Sequence, residues 1–448
     1  MDSLYKDLYS SENLFAAWRH VKKSALSSAN GQARGEASEF EHSHQRHLRT
    51  IGDQLRSGRF KFDQSHGVLK DRRKRRKEGK DPRPIVISSL RSRIVQRAIL
   101  QVLQPRRLRD PRSINPVFAP HDDPRIGRLN QVHRSSYGVG GLIAPYGGVQ
   151  PAIHFVLDSI RNGATHYFQS DIRSFFTKIP IQEVVEWLRR EVNDERITEL
   201  FESALTIELS NKHELLTYER LFPHNGIGVA QGSSLSALAG NILLLDFDHR
   251  VNEMGVSSIR YIDDLLMLSD QPASLSRAKA FATEFLGGYN MSLYEPEPGS
   301  RKAAAGLCRD AIEFLGCSIQ PNRCVPSSNS TKKILSEISD ELSKSKSRIK
   351  RFLEGEDEFD PSFSRTATIY RVNKKLYGWG KSFSFVTDAQ VFRSVDCSVV
   401  KKIDSYEHIV WKWLRSQPPE VRARATGVPS MEQIYLDNPK HVGKTEQN

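Results

Sequence analysis

The 448-residue sequence predicts an α+β fold, a mixed strand-and-helix centre flanked by helical segments. Three observations predict it. Apolar residues recur at helical spacing towards both ends, around Leu14, Trp18 and Val21 and again through "KKILSEISDELSKSKSRIKRFLEG". The centre holds short runs with strand character, such as "RPIVISS" and "IEFLGCSIQ", between helical stretches. The segment "SSIRYIDDLLMLSD", residues 257–270, sets two apolar runs around a two-residue turn, which is the hairpin pattern.

Taken in order, residues 12–60 predict two helices around a Gly/Ala/Ser-rich joint, the second built on Leu48, Ile51 and Leu55. Residues 70–83, "KDRRKRRKEGKDPR", are nearly free of apolar side chains and predict a loop or an exposed hairpin tip. A strand over 83–89 leads into a helix over 90–105 that Pro105 ends. Residues 106–150, rich in Arg, Pro, Gly and Asp, predict a long irregular connection. A helix over 149–163 stops at Gly163. The stretch 165–180 starts as a strand and breaks near Asp171. Two helices follow, "QEVVEWLRREV" and "ITELFESALTIEL". Residues 228–251 predict a glycine-marked turn and one long helix capped by Ser233 or Ser234. After the hairpin and the strand at 312–320, residues from about 330 read as a charged helix, and 365–416 continue helical with Trp379, Trp411 and Trp413.

Charge narrows the partner. The net charge is +13 with 38% hydrophobic residues, so a folded protein with a polyanionic partner is expected. The longest apolar run, "SALAGNILLLDF", falls far short of the roughly 20 residues that span a bilayer, which favours nucleic acid over membrane. Cys308, Cys317, Cys324 and Cys397 show no C-x-x-C spacing and no His-x-x-x-His companion, so they predict reduced thiols of a cytoplasmic protein rather than a zinc site. The N-terminus lacks the pattern of a signal peptide.

Asp263 and Asp264 sit side by side between segments built for burial. Two such charges repel by about 4 kcal/mol at an effective dielectric near 20. A divalent cation offsets that, and Mg2+ prefers hard oxygen ligands. Asp171, at the end of "HYFQS", is the candidate third carboxylate if its strand lies beside the hairpin. Two ions about 3.5–4 Å apart could then clamp an in-line phosphoryl transfer. "YIDD" alone more often marks a solvated turn; its company gives it weight.

That company carries a resemblance. "SDIRSFF" (170–176), "VAQGSSLSALAGNILL" (229–244), "YIDD" (261–264) and "EFLGCSI" (313–319) stand in the order of reverse transcriptase palm motifs, and "RPIVISSLRSRIVQRAIL" (83–100) resembles the fingers of the same enzymes. The chain resembles prokaryotic reverse transcriptases of the group II intron, retron and phage-defence (abortive-infection and unknown-group) lineages, and most of all the stand-alone defence type. "VNKKLYGWGKSFSF" (372–385) is similar to the thumb and X region of intron enzymes. The resemblance implies a right-hand polymerase fold of fingers, palm with an antiparallel sheet, and helical thumb. The expected division is a helical extension over 1–64, fingers and palm over 65–322, and a helical thumb/X-like region over 323–448.

The resemblance also implies roles. Asp171 and Asp263 would ligate two Mg2+ ions, for which Mn2+ could substitute, with Asp264 adjacent and the Ile172 carbonyl a further ligand. Phe176 resembles the steric gate that excludes a ribose 2′-hydroxyl; read as its strand neighbour on the opposite face, Phe175 would be core. Gln231, Gly232 and Tyr261 would line the nucleotide, although Ala230 stands where the family usually has proline. Arg83 matches the phosphate-gripping arginine of the fingers, and Lys70 an upstream lysine. Lys302 would protonate pyrophosphate, at a spacing that departs from the family's. The implied partners are dNTPs, an RNA template that a dedicated non-coding RNA could supply, and a DNA product or RNA/DNA hybrid; a second copy of the chain or an accessory defence protein would be a further partner. The competing expectations are an RNA polymerase or untemplated terminal nucleotide transferase on the same fold, and a non-catalytic RNA-binding scaffold.

Overall fold

The computed structural model describes residues 3–28, 31–77, 81–109, 118–142, 146–300, 302–356 and 358–436. The chain divides into two compact units, residues 1–307 and 308–448.

The first unit opens with helices. Residues 12–60 form three helices rather than two, Ser11–Leu26, Gly31–His42 and His44–Arg56. Ser10 caps the first of these by accepting from the Asn13 backbone N–H, which satisfies an otherwise orphaned donor. Leu14, Trp18, Val21, Leu48, Ile51 and Leu55 are buried, as the helical spacing requires. Strands β1 (His66–Lys70) and β2 (Arg83–Ile87) then pair antiparallel. Between them the basic segment Arg72–Lys77 is a short helix at the hairpin tip; residues 78–80 lie outside the described residues. Strands β3 (Arg106–Arg109) and β4 (Phe118–His121) pair within the connection expected to be irregular.

The central sheet has five strands: β5 (His166–Arg173), β6 (Ser257–Tyr261), β7 (Asp264–Ser269), β8 (Ser292–Leu293) and β9 (Ala303–Leu307). The order is β6-β7-β5-β8, with β9 also pairing β5, all antiparallel. Leu265, Leu266, Met267 and Leu268 are all fully buried. Consecutive strand residues point to opposite faces, so both faces of β7 are covered. Helices Val149–Arg161 and Pro272–Gly287 pack on this sheet.

Three sequence expectations need correction. β5 does not break near Asp171 but continues to Arg173, because Ile172 and Arg173 pair with Leu293 and Ser292 of β8. The segment 228–251 is not one long helix. Gly228 and Gly232 take positive φ (88° and 105°), which delays the helical start to Ser236. The helix is then interrupted at Leu244 (φ −100°, ψ 11°) before Leu245–Asn252. Neither Ser233 nor Ser234 is its cap; Leu235 holds that position without a side-chain bond. The stretch 312–320 is a tight hairpin rather than a single strand.

That hairpin belongs to the second unit, where β10 (Ile312–Phe314), β11 (Cys317–Gln320) and β12 (Arg323–Pro326) form an antiparallel meander. Leu315 and Gly316 both have positive φ, as a two-residue hairpin turn demands. Helix Ser328–Leu353 buries Ile334, Ile338, Leu342, Ser345 and Ile349. It packs against helices Arg365–Ser382 and Gln390–Leu414. Inside this bundle the Ser345 and Tyr406 hydroxyls lie 2.8 Å apart, and Arg371 pairs with Glu341 at 2.9 Å. No described helix is long and apolar enough to cross a membrane.

Candidate active site

The site grows out of the β6–β7 hairpin. Its register pairs Tyr261 with Asp264, leaving Ile262 and Asp263 as the two turn residues. Ile262 has φ 64°, a conformation that costs a β-branched residue about 1–3 kcal/mol. On the other side of β7 lies β5, in a register that places Asp171 directly opposite Asp264. Direct cross-strand partners hold their Cβ atoms about 4.5–5.5 Å apart. The Ile172 N–H donates to the Asp263 carbonyl at 2.7 Å, which ties the turn to the neighbouring strand. Residues about ninety positions apart are thus brought to one end of one sheet. The direct pairing goes to Asp264, and Asp263 is joined through backbone.

Electrostatics follow from that convergence. Burial and the neighbouring Asp264 charge push the Asp263 carboxyl above its ordinary range, and Arg83 and Arg260 pull against the shift. Burial also raises Asp264. Burial, and then Asp264, raise the Tyr261 hydroxyl. Three half-buried carboxylates, Asp171, Asp263 and Asp264, thus gather at this end of the sheet. Asp171 is ion-paired through Oδ2 with Lys302 Nζ, and the Lys302 carbonyl accepts from the Asp171 N–H at 2.9 Å. Lys302 also lies 5.9 Å from the Tyr294 ring, on which Arg173 stacks at 4.4 Å.

The remaining candidates approach from two sides. Ser174 takes a left-handed conformation (φ 63°) and turns the chain into the short helix Phe175–Lys178. The two phenylalanines therefore stand in a helical turn, not on a strand whose faces alternate. Phe175 is buried against the core, and the half-buried Phe176 ring lies 5.1 Å from it. The Phe176 carbonyl accepts from the Val229 N–H at 2.8 Å, which anchors the "AQG" turn beside it. Within that turn Gly232 has φ 105° and open space where a side chain would be, so its backbone angle, not crowding, calls for glycine. Gln231 Oε1 accepts from Arg83 Nε at 3.2 Å. Arg83 is the direct cross-strand partner of Lys70, both exposed. Like charges placed opposite one another repel, and at this exposed position solvent and salt weaken the repulsion.

Whether this site suits divalent ions depends on its donors. All are hard oxygens, which suits Mg2+ and not zinc. Among the described residues no three His, Cys, Asp or Glu side chains make a ready ion cage. Mg2+ commonly takes one or two protein carboxylates and completes its shell with substrate phosphates and water, so a partial set fits it.

Sequence reasoning missed a second tier of residues. Arg260, 1% exposed, lies in β6, separated from the turn by Tyr261. Its guanidinium donates to both oxygens of buried Asp248 (2.9 and 2.6 Å), to Asn241 Oδ1 (3.1 Å) and to the Ile262 carbonyl (2.9 Å). Burial pushes the Asp248 carboxyl up, and Arg260 opposes the shift. Asn241 donates to the Gly140 carbonyl at 2.8 Å. The strip Tyr137–Val139 bonds along Arg260, through Arg260 N–H to Tyr137 O (2.7 Å) and Val139 N–H to Arg260 O (2.9 Å). A Cβ at Gly138 would collide with Asp248 and Arg260, and one at Gly140 with Ile262. The available signal was an arginine inside the apolar run "SSIRYI", since a charge in a buried strand needs a buried partner.

Residues 75–319, more than half of the chain, match the family described as Reverse transcriptase (RNA-dependent DNA polymerase). No curated protein matches the chain. Among solved structures it is similar to a chain of a partial Cas6-RT-Cas1–Cas2 complex at 18% identity, covering 64% of this chain and 43% of that one, TM-score 0.35. It is similar to a chain of a Cas6-RT-Cas1–Cas2 complex at 14% identity, covering 90% and 50%, TM-score 0.35. It is also similar to telomerase from Candida albicans in complex with a fragment of telomeric RNA, at 14% identity, covering 64% and 54%, TM-score 0.34. The chain spans about half the length of the solved chains it matches.

Proposed function

The chain belongs to the reverse transcriptase (RNA-dependent DNA polymerase) family, and from that premise we propose that it copies an RNA template into DNA at the Asp171–Asp263–Asp264 end of the central sheet. The carrying observation is the antiparallel register that sets Asp171 opposite Asp264 with Asp263 in the adjoining turn. Asp171, Asp263, Asp264 and the Ile172 carbonyl would hold two Mg2+ ions, or Mn2+ in their place, which when bound would activate the primer hydroxyl and offset charge on the departing pyrophosphate.

The chain's own residues do the rest. Arg83 and Lys70 grip the triphosphate of the incoming dNTP. Gln231, Gly232 and Tyr261 line the nucleotide, and the Phe176 ring fills the space a ribose 2′-hydroxyl would need. Lys302 Nζ delivers a proton to the leaving pyrophosphate. Fingers and palm are assigned to 65–322 and a helical thumb to 323–448, after the extension at 1–64.

The purified chain with an RNA template, an annealed DNA primer and dNTPs should extend the primer, and Asp263→Asn should not. Full synthesis by that variant would remove the assignment. The finer reading, supported by the resemblance of the sequence to defence lineages, is a cytoplasmic enzyme of antiphage defence working on a dedicated non-coding RNA. Sequencing the nucleic acids that co-purify with wild type and Asp263→Asn should return one dominant RNA from both and its cDNA from wild type alone. A random sample of cellular RNA would count against it.

A further inference from the structure

The β6–β7 turn is tight, its first residue is strained, and a buried guanidinium holds it. We infer that Arg260 is a positioning residue: through Asp248 and Asn241 it locks the Ile262 carbonyl and so fixes where Asp263 presents its carboxylate to a divalent ion. The inference rests on the reading of this turn as the ion-binding end of the sheet.

The geometry separates this role from ordinary packing. A two-residue turn with positive φ at its first position normally takes glycine there. Here the position is Ile262, at φ 64°. Such a conformation persists only where the surroundings over-determine it. Arg260 supplies that determination, because one planar fork reaches the Asp248 carboxylate, Asn241 and the Ile262 carbonyl at 2.6–3.1 Å. The guanidinium reaches the turn from inside the protein, with 1% exposure, and Asp248 is 4% exposed. Asn241 extends the brace to the Gly140 carbonyl, beside the turn. The Tyr137–Val139 strip holds the Arg260 backbone along the outer edge of β6. Lysine at this position would keep the charge but could not reproduce a fork aimed at three acceptors. Without the brace, Ile262 relaxes towards negative φ, and Asp263, the next residue, turns with it.

The test uses the full chain and Mn2+ alone as the probe, with free Mn2+ read by electron paramagnetic resonance and primer extension run in parallel. Arg260→Lys should weaken Mn2+ binding at least about tenfold. Its thermal melting should fall, because buried acceptors lose their donors, while its affinity for primer–template should change little. Ile262→Gly removes the strain that the brace opposes. In that background Arg260→Lys should cost about threefold or less, a dependence that a merely structural arginine would not show.

If Arg260→Lys does not fold, Asn241→Ala deletes two bonds of the brace and leaves the ion pair; it should weaken Mn2+ binding about three- to fivefold. The inference falls if a folded Arg260→Lys, or Asn241→Ala in its place, binds Mn2+ like wild type. It also falls if the loss is equal with and without the Ile262→Gly substitution. Failure of the polymerase reading looks different: wild type would bind Mn2+ in a manner abolished by Asp263→Asn yet extend no primer, and the Arg260 series would still report on the turn.

Discussion

Two hairpins in the first unit do opposite things with charge. The β6–β7 hairpin closes in two residues, collects carboxylates and is braced from beneath by a buried arginine. The β1–β2 hairpin closes over residues 71–82, collects cations and leaves Lys70, Arg73, Arg76, Lys77 and Arg83 exposed. The difference has a physical reason. Carboxylates that share a small cation must be placed to within a fraction of an ångström, and repulsion between them must be held by surrounding structure. Cations that meet a long polyanion need only reach it, and solvent keeps their mutual repulsion small. The first hairpin should therefore respond to changes in shape and burial, and the second to changes in charge and salt.

The sharpest break is at the first hairpin. Asp263→Asn keeps size and removes charge, and it should lower primer extension about a thousandfold. Asp171→Asn should do the same even though it also breaks the ion pair with Lys302. Single-turnover primer extension measures both. A loss under about tenfold would mean that the turn does not carry the reaction.

Burial gives the same rigid region a pH sensitivity. His133 lies at the end of the helix Leu129–His133, shortly before the strip that lines β6. Its Nε2 donates to the Leu103 carbonyl at 2.8 Å, and its buried Nδ1 finds no hydrogen-bond partner among the described residues. Burial lowers its pKa to about 4, against 6.5 unfolded. The unfolded chain therefore takes up a proton that the folded one refuses. Stability is intact above pH 6.5 and declines as pH falls towards 4, by about 2 kcal/mol at a pH near 5 from this group alone. Urea unfolding at about pH 7.5 and about pH 5 should show a smaller drop for His133→Asn than for wild type. Equal drops would mean that His133 charges without cost.

The two hairpins were not equally legible. The β6–β7 turn could be read because two apolar runs around "DD" leave little else for the chain to do. The ordered motifs located the sheet, yet they carry no register, and so could not say that Asp264 rather than Asp263 would face Asp171. Arg260 escapes sequence reading because helical and strand patterns treat a charge as a surface mark, whereas here Asp248, on the preceding helix, supplies its partner. Phe175 is core, as strand alternation predicts, but for a different reason: the left-handed Ser174 that starts a helical turn carries no local sequence signal. At the β1–β2 hairpin the basic run was legible as a tip, but its short helix was not: consecutive Arg and Lys residues repel, and Arg72 over the Tyr218 ring (5.3 Å) and Arg75 on the Asp81 carbonyl (2.6 Å) help hold the turn.

Where the hairpins meet the proposed nucleotide, effects should be intermediate. Arg83→Ala should reduce kcat/KM for dNTP about thirtyfold, mostly through KM, because a charge-assisted contact to phosphate is lost. Arg83→Lys should recover only part of it. A loss confined to kcat would move Arg83 from binding to chemistry. Phe176→Ala should shift the NTP/dNTP incorporation ratio about tenfold towards NTP, the scale of a steric pocket contact. An unchanged ratio would leave that ring as core alone.

The smallest effect belongs to the exposed tip and isolates the electrostatic half of the comparison. Arg72 and Arg75 are tied to the protein, whereas Arg73, Arg76 and Lys77 are exposed to solvent. Replacing those three with Gln should leave kcat and melting temperature unchanged. If they sit on nucleic-acid phosphates, each lost contact reduces the slope of log K against log salt by about 0.7–0.9, so the triple variant should bind primer–template with a slope shallower by about 2–3. At high salt the variant and wild type should then converge in affinity. Parallel salt curves would mean that the tip is a solvated surface, and that the cations meeting the polyanion must be sought elsewhere on the chain.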